Sequence, residues 1–405
     1  MEDIFSSVWR IIHKNNFIFP EFEKNKNDIL LDLSYIFDSF YSYINIKVNS
    51  DINYKNTLIW EDFYFDNSDV VSKNNNLEWK ILDFINILQS SEDDCYKNLA
   101  DDISSLERMI NTLKIILDIE SHVKHINIAT YNDKTGVILS TTLLRPGDFL
   151  KSKLWNKVNS LILTSATLRI GDNFDYIKNI LGLWEEFEYN VLDTDFNYEK
   201  QVLLFIPTDL WSIKNNSASL NIFLKQLFLK IKWRALTLFT SFYTIKEAYL
   251  SMNLDLKKEN INLYAQWVAW WKHKLMTFFK ENSKSSILFW TDTFWEWVDI
   301  PWEDLEYLIV YKLPFMVPTD PVFKARSAIF KNAFSDYSIP KSILKLRQWF
   351  WRLIRTKNDK WIVIFLDDRI HSTSWWKEFY KSFPDNIKIK RWNSLDFLEI
   401  IWKIN

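Results

Sequence analysis

The sequence predicts an α/β fold: a largely parallel β-sheet with helices on both faces, preceded by a helical region. Three observations carry this expectation. From about residue 155 onward, short apolar runs alternate with amphipathic stretches, the pattern of strand–helix–strand units in a parallel sheet. Several of those runs end in Thr, Ser or Asp, and such sheets gather their sites at the carboxyl ends of the strands. Before residue 130, apolar residues recur at helical spacing instead.

Taken in order, Leu30, Leu33, Ile36, Phe37 and Phe40 form one periodic stretch. Leu99, Ile103, Leu106, Ile110, Leu113 and Leu117 form a stronger one. Its spacing alternates four and three, an apolar seam for an antiparallel neighbour. An inserted helical arm and a core helical bundle are the same physical object at this level. Asn74 to Asn76 and the polar stretch around Asp51 to Lys55 read as loop tips. The expected buried strands are Leu161 to Leu163, then residues 202–206, 236–239, 287–289, 308–310 and 362–365. Helices are expected between them, for example over 222–231 and 246–252.

Composition bounds the function classes. With 405 residues, 48% of them apolar, the chain has material for two to three domains of ~150 residues and a buried core. Lys and Arg number 50 against 52 Asp and Glu, so no basic field is available and any nucleic-acid binding must come from local grooves. Cys95 is the single cysteine, which excludes an intrachain disulfide, a Cys-ligated iron–sulfur cluster and a zinc ribbon within these residues. The five His have no metal-ligand spacing. The acidic start Met1-Glu2-Asp3-Ile4 is unlike a signal peptide. No apolar run reaches the ~18 residues of a membrane span. The expectation is a soluble, cytoplasmic protein with no metal site of its own.

Trp stands in this chain where turns ask for Gly. There are 21 Trp and 4 Gly, against roughly 28 Gly at the usual ~7%. Many Trp fall beside turn signals, as in Ile300-Pro301-Trp302, Gln348-Trp349-Phe350-Trp351-Arg352 and Asp359-Lys360-Trp361, where a φ-permissive residue belongs. Some bacterial lineages read UGA as Gly, and a translation table that reads UGA as Trp would print this chain. The competing reading is a Trp-rich protein with pairs such as Trp270-Trp271 and Trp375-Trp376 packed in a core. On the decoding reading, an indole at 297, 349 or 351 is badly tolerated, because those positions need φ > 0 or a close approach.

Four segments carry chemistry. Thr164-Ser165-Ala166-Thr167 and Thr240-Ser241 each close an apolar run with hydroxyls, and each reads equally well as a helix cap. Residues 287–302, with Gly read at 290, 297 and 302 and Trp295 kept, become ILFGTDTFWEGVDIPG. Glu296 and Asp299, three apart and flanked by Gly, suit a loop that approaches a phosphate-bearing ligand, and Thr291 begins it. The plain alternative is a solvated acidic loop. Lys312-Leu313-Pro314-Phe315 and Pro318-Thr319-Asp320-Pro321 downstream weigh against that alternative. Residues 346–355, with Gly at 349 and 351, become LRQGFGRLIR. On a helix Gln348, Arg352 and Arg355 fall at i, i+4 and i+7 and share one face. A row of guanidiniums can clamp the charge developing on a transferring γ-phosphoryl group. The alternative is a surface arginine stripe, which the spacing and the Gly pattern oppose.

In this order and spacing the segments resemble the DinG/XPD-type helicases of superfamily 2, and DinG most closely. The likeness is good from about residue 155 to 390 and loose over the first 150. Ser165-Ala166-Thr167 looks like the family's motif III and Thr240-Ser241 like its motif IV. Glu296 and Asp299 sit in its motif V, and Gln348, Arg352 and Arg355 in its motif VI. Asp195-Phe196-Asn197-Tyr198, Tyr264-Ala265-Gln266 and Trp376-Lys377-Glu378-Phe379 are supporting matches. The resemblance implies a RecA-like sheet of the P-loop helicase kind. Residues 1–150 would be a helical arch-like region, 151–190 a remnant of the first RecA-like domain with motif III, and 191–405 the second RecA-like domain. It implies an ATP-dependent 5′-to-3′ DNA helicase, with ATP and Mg2+ between the two RecA-like domains. Gln348, Arg352, Arg355 and Asp299 would face the nucleotide. Ser165, Thr167, Thr240, Ser241 and Thr291 would face single-stranded DNA.

One departure is large. No G-x-x-x-x-G-K-[ST] and no D-E-A-H occur, even with every Trp read as Gly. The phosphate nest, its Lys and the acid that holds Mg2+ are therefore missing from these residues. Any cluster cysteines of the family would lie in the same missing part. The expectation is a C-terminal fragment, inactive alone, whose N-terminal RecA-like half comes from the same or a neighbouring gene. One alternative is a non-catalytic nucleic-acid-binding or adaptor protein that retains a RecA-like domain. Another is a different superfamily 2 helicase or a nuclease–helicase fusion. Phe294-Trp295-Glu296 favours the DinG/XPD type over the DEAD-box type.

Overall fold

The computed structural model describes residues 20–48, 54–59, 61–90, 95–192, 194, 196–210, 217–266, 272–291, 305–351, 354, 356–357, 359–384 and 386–404. The chain forms two compact units, Met1–Lys157 with Val317–Ile329, and Val158–Met316 with Phe330–Asn405.

In the first unit, helices α1 (Pro20–Lys47), α2 (Glu61–Asp66), α3 (Ser68–Ser90), α4 (Cys95–Leu117) and α5 (Pro146–Lys153) accompany a three-stranded sheet. The two periodic stretches pack as their spacing demands. Leu33, Ile36 and Phe40 of α1 and Ile103, Leu106, Ile110, Leu113 and Leu117 of α4 share one core with Leu77 and Ile81 of α3. The sheet departs from the helical reading of residues 1–130. Strands β1 (Tyr54–Leu58), β2 (His125–Asn132) and β3 (Gly136–Leu143) pair antiparallel in that order. β2 interrupts its apolar run with Asn127, a buried side chain whose Oδ1 accepts from Thr141 Oγ1 at 2.7 Å. That polar pair hid the strand. Gly136, at φ +71, closes the β2–β3 hairpin in the left-handed region that favours glycine. Asn74 to Asn76 lie inside α3, not at a loop tip, and Asn74 is buried. The Val70, Leu77, Ile81 and Ile85 stripe carries the helix through three weak formers, since packing outweighs propensity. Of the stretch 51–55, Tyr54 and Lys55 begin β1.

The second unit is a seven-stranded parallel sheet in the order β10-β4-β9-β8-β5-β7-β6. Its strands are β4 (Val202–Pro207), β5 (Ala235–Phe239), β6 (Asn262–Ala265), β7 (Ser286–Thr291), β8 (Tyr307–Val310), β9 (Trp361–Phe365) and β10 (Lys388–Trp392). The α/β class and the helices on both faces agree with expectation. Along β5, β7, β8 and β9 alternate residues serve opposite faces, the period of a strand. Leu236, Leu238, Leu288, Trp290, Leu308, Val310, Val363 and Phe365 face one core. That core includes α10 (Lys272–Glu281), α12 (Ile339–Trp351) and α14 (Trp376–Tyr380). Ala235, Phe239, Ile287, Phe289, Ile309, Ile362 and Ile364 face the other, beneath α8 (Ser217–Ile231), α9 (Phe242–Lys258) and α15 (Ser394–Ile404). Short helices α6 (Asp175–Leu181), α7 (Tyr198–Gln201) and α13 (Arg369–Ser372) complete the unit. α11 (Pro321–Ser327) belongs to the first unit.

Within this parallel sheet two strands lie outside the expected set. β6 has four residues, and β10 is an edge strand reading Lys-Ile-Lys-Arg-Trp, with the charges that protect an edge from further pairing. One predicted strand is absent. Leu161, Ile162 and Leu163 form no strand, and Ile162 is 88% exposed. A strand exists only where a neighbour satisfies its backbone, and no described strand lies beside this run.

Candidate nucleotide and nucleic-acid site

Because β5 pairs with β7 and β8, and β8 with β9, the polar residues that end these strands share one edge of the sheet. Thr240 and Ser241 follow β5, Thr291 ends β7, Lys312 follows β8, and Asp367 follows β9. Ser241 is the N-cap of α9. Its Oγ accepts from the Thr244 amide at 3.2 Å and lies 2.8 Å from Thr244 Oγ1, so the capping reading describes its contacts here. Thr240, half-buried, precedes that cap. Thr291 is buried, and its amide and hydroxyl both donate to Gln266 Oε1, at 3.0 and 2.7 Å. Gln266, directly after β6, thereby ties the end of β7 to its neighbouring strand. Glu296 and Asp299 lie outside the described residues, as do Trp297 and Trp302.

The Ser165 segment is not a helix cap. Ser165 Oγ and Thr167 Oγ1 lie 3.0 Å apart, and the Thr167 amide donates to Ser165 Oγ at 3.2 Å. The side chain closes a local turn in the manner of short hydroxyl residues, and Ser165 is exposed. α12 runs beside this turn. Ile339, Ile343, Leu346 and Phe350 bury one stripe against the sheet. Arg347 flanks the stripe, donating through Nη2 to the Ala166 carbonyl at 2.8 Å and through Nη1 to the Arg169 carbonyl. Burial first, and the Arg169 charge second, pull the Arg347 guanidinium down to about 10. Gln348, the next residue, is exposed. Arg352 and Arg355 lie outside the described residues, so of the motif row only Gln348 is placed.

α12 is helical through Trp351, and among the described residues the non-Gly positions with positive φ are Lys232, Arg234 and Asn260. The left-handed requirement expected at positions 349 and 351 is therefore not met. Trp349 is a buried core residue at helical φ.

Several polar anchors carried no role in the sequence reading. Asp367, fully buried, accepts from the Leu313 amide (2.8 Å) and from Arg369 N (3.1 Å), Nε (2.8 Å) and Nη2 (2.6 Å). It joins β9 to the Lys312-Leu313-Pro314-Phe315 turn, and Arg369 lies 5.1 Å from the Phe315 ring. Burial, then the nearby Arg369 charge, lowers the Lys312 ammonium below its ordinary range. Past α12, Asp359 accepts from the Thr356 amide at 2.9 Å. Gln201 donates to the Thr356 and Asp359 carbonyls at 2.9 and 3.1 Å. An Asp-x-Arg after a strand was the visible signal for the first of these anchors. The second had none, because Gln201 lies 155 residues from Thr356.

Residues 224–386 match the helicase C-terminal domain family. Two curated relatives extend the match. The chain is 30% identical over 270 residues to the 3′-5′ exonuclease DinG of Bacillus subtilis (strain 168), covering 64% of this chain and 29% of that protein. It is 31% identical over 276 residues to the ATP-dependent DNA helicase YoaA of Haemophilus influenzae, covering 64% and 41%. The chain thus carries a helicase C-terminal domain and is similar to helicases of the DinG/XPD type. It spans less than half the length of these two relatives. Among solved structures it is similar to one titled XPD_Helicase, at 16% identity and a TM-score of 0.49, covering 76% of this chain and 55% of that one.

Among the described residues no group of His, Cys, Asp and Glu could hold a metal ion, and no helix is long and apolar enough to cross a membrane.

Proposed function

We propose that this chain is the second motor domain and arch-like region of an ATP-dependent 5′-to-3′ DNA helicase of the DinG type, working on single-stranded DNA in the cytoplasm. The observation that carries this reading is the sheet edge. Thr240 and Ser241 follow β5 and Thr291 ends β7, its parallel neighbour, where ligands of such sheets bind, and the helix bearing Gln348 lies on one face of the same sheet. In this reading residues 1–150 are the arch, 151–190 a remnant of the first RecA-like domain, and 191–405 the second. Gln348, Arg352, Arg355 and Asp299 serve ATP and Mg2+, and Glu296 links them to the strand. Ser165, Thr167, Thr240, Ser241 and Thr291 contact single-stranded DNA. When bound, ATP supplies the energy for movement, while the arginines stabilise charge on its phosphates.

The P-loop half is a required partner in this reading. Its support is the exposed run at Leu161 to Leu163. Ile162 and Leu192 are 88% and 83% exposed, and a cleft of about 630 Å3 lined by Leu161, Leu163, Phe174, Trp184 and Tyr189 opens beside them. A neighbouring sheet would cover such a surface.

The test is an ATPase assay with oligo(dT) beside an oligo(dT)-binding titration over a salt series. The expected result is background hydrolysis by the chain alone and salt-dependent binding, since phosphate contacts release counterions. Hydrolysis above background that is lost in Arg352→Ala overturns the partner requirement. Absence of oligo(dT) binding at low salt overturns the nucleic-acid assignment. Binding without hydrolysis, even after a P-loop half is added, would instead establish the non-catalytic adaptor.

A further inference from the structure

We propose that Arg347 is a positioning residue that latches the Ser165-Ala166-Thr167 turn to α12 and so couples strand binding at that turn to the face carrying Gln348. The inference rests on the nucleic-acid reading for what the coupling transmits. The latch itself rests on geometry alone.

Arg347 is 6% exposed, and its guanidinium spends two donors on backbone carbonyls, Ala166 and Arg169, on either side of Thr167. A backbone carbonyl offers no charge to offset the burial of a cation. The planar fork of Arg matches two acceptors at fixed separation, which a Lys head does not. The turn it grips also carries local contacts of its own, and Ile170 packs against the core. Ser165 bonds Thr167, Arg169 pairs with Asp172, and Ile170 bridges Asn173 around Gly171 at φ +56. α12 is fixed on its other side by the Ile339, Ile343, Leu346 and Phe350 stripe. A shift of the turn therefore pulls on α12 one residue before Gln348. Because Arg347 and Gln348 are consecutive on a helix, their side chains point about 100° apart, and one residue can grip the turn while the next stays on the open face.

The test is amide hydrogen exchange on the full chain, alone and with oligo(dT), for the native sequence, Arg347→Met and Arg347→Lys. Met keeps the stem and removes the donors. Lys keeps the charge and gives up the fork. In the free chain, exchange over residues 164–170 should rise about tenfold in Arg347→Met, the loss of a bond or two to a charged donor. It should rise less in Arg347→Lys, while β5 and β9 stay as protected as in the native chain. With oligo(dT), the native chain should gain protection over both 164–170 and 343–351. Arg347→Met should keep the first gain and lose the second. Unchanged exchange over 164–170 in the free Arg347→Met chain overturns the latch. A retained gain over 343–351 overturns the coupling. If Arg347→Met loses protection in β5 and β9, it is unfolded, and the same criteria apply to Arg347→Lys. Absence of any oligo(dT)-dependent protection in the native chain counts against the nucleic-acid assignment and the coupling, while the free-chain comparison still decides the latch.

Discussion

His371 shows how burial sets a residue's chemistry without any motif. Its Nδ1 is buried and meets no hydrogen-bond partner among the described residues. Burial is the largest influence on the ring and lowers it from its ordinary value of 6.5. The Arg391 charge adds to that, and Asp368 and Asp367 oppose it. The folded state thus binds fewer protons than the unfolded chain just below pH 6.5. Stability is level above that value and declines as pH falls from it toward the folded value. Urea unfolding at about pH 7.5 and about pH 5.5 should show this decline, and His371→Gln should make it shallower. Identical declines in the two proteins would remove His371 from the account. Legibility at this scale was uneven. Gln348 was named from spacing and sits exposed on α12, whereas Arg347, one position earlier, looked like part of a string. Its role depends on the carbonyls of Ala166 and Arg169, about 180 residues away, and no local pattern encodes such a partner.

At the scale of elements, β4, β5, β7, β8 and β9 were legible because continuous apolar runs mark strands buried on both faces. β10 was not, since an edge strand needs no such run. The 161–163 run was misread for the converse reason: its composition is that of a strand, but its environment is not. The exposure of Ile162 makes a direct prediction. Ile162→Asp should shift the unfolding free energy by no more than about 0.5 kcal/mol, as surface substitutions do. A loss near the ~2–5 kcal/mol of a buried Ile or Leu truncation, read from a denaturant midpoint, would show that the run is buried in solution. The same variant should weaken association with a P-loop half, which a pull-down of that half measures. The Asn-rich turn of α3 taught a related point, because a stripe of buried Ile and Leu held a helix through residues that usually end one.

At the scale of the whole molecule, the Trp-for-Gly question has a decisive measurement. The decoding reading expects UGA at positions 290, 297, 302, 349 and 351 and UGG at 295, which sequencing the gene and about a kilobase upstream would read directly. UGG at all of them overturns it. Stability is a poor discriminator, because Trp290, Trp349 and Trp361 fill core positions at ordinary φ. Removing a buried indole costs about 3–5 kcal/mol, more than the ~1–3 kcal/mol gained by freeing the Trp361 indole N–H, which is buried without an acceptor among the described residues. The sequence by itself determined the parallel α/β class, the helical packing seams, the hydroxyls at the strand ends and the spacing of the Gln348 row. Each of these is a periodicity or a local adjacency, and periodicity records which residues are buried. Tertiary structure alone decided that Thr291 is tied to Gln266, that Asp367 pins the Leu313 turn, that Arg347 grips the Ala166 turn, and that the 161–163 run is no strand. Those outcomes depend on what each group is buried against, and the partners lie tens to hundreds of residues away in the chain.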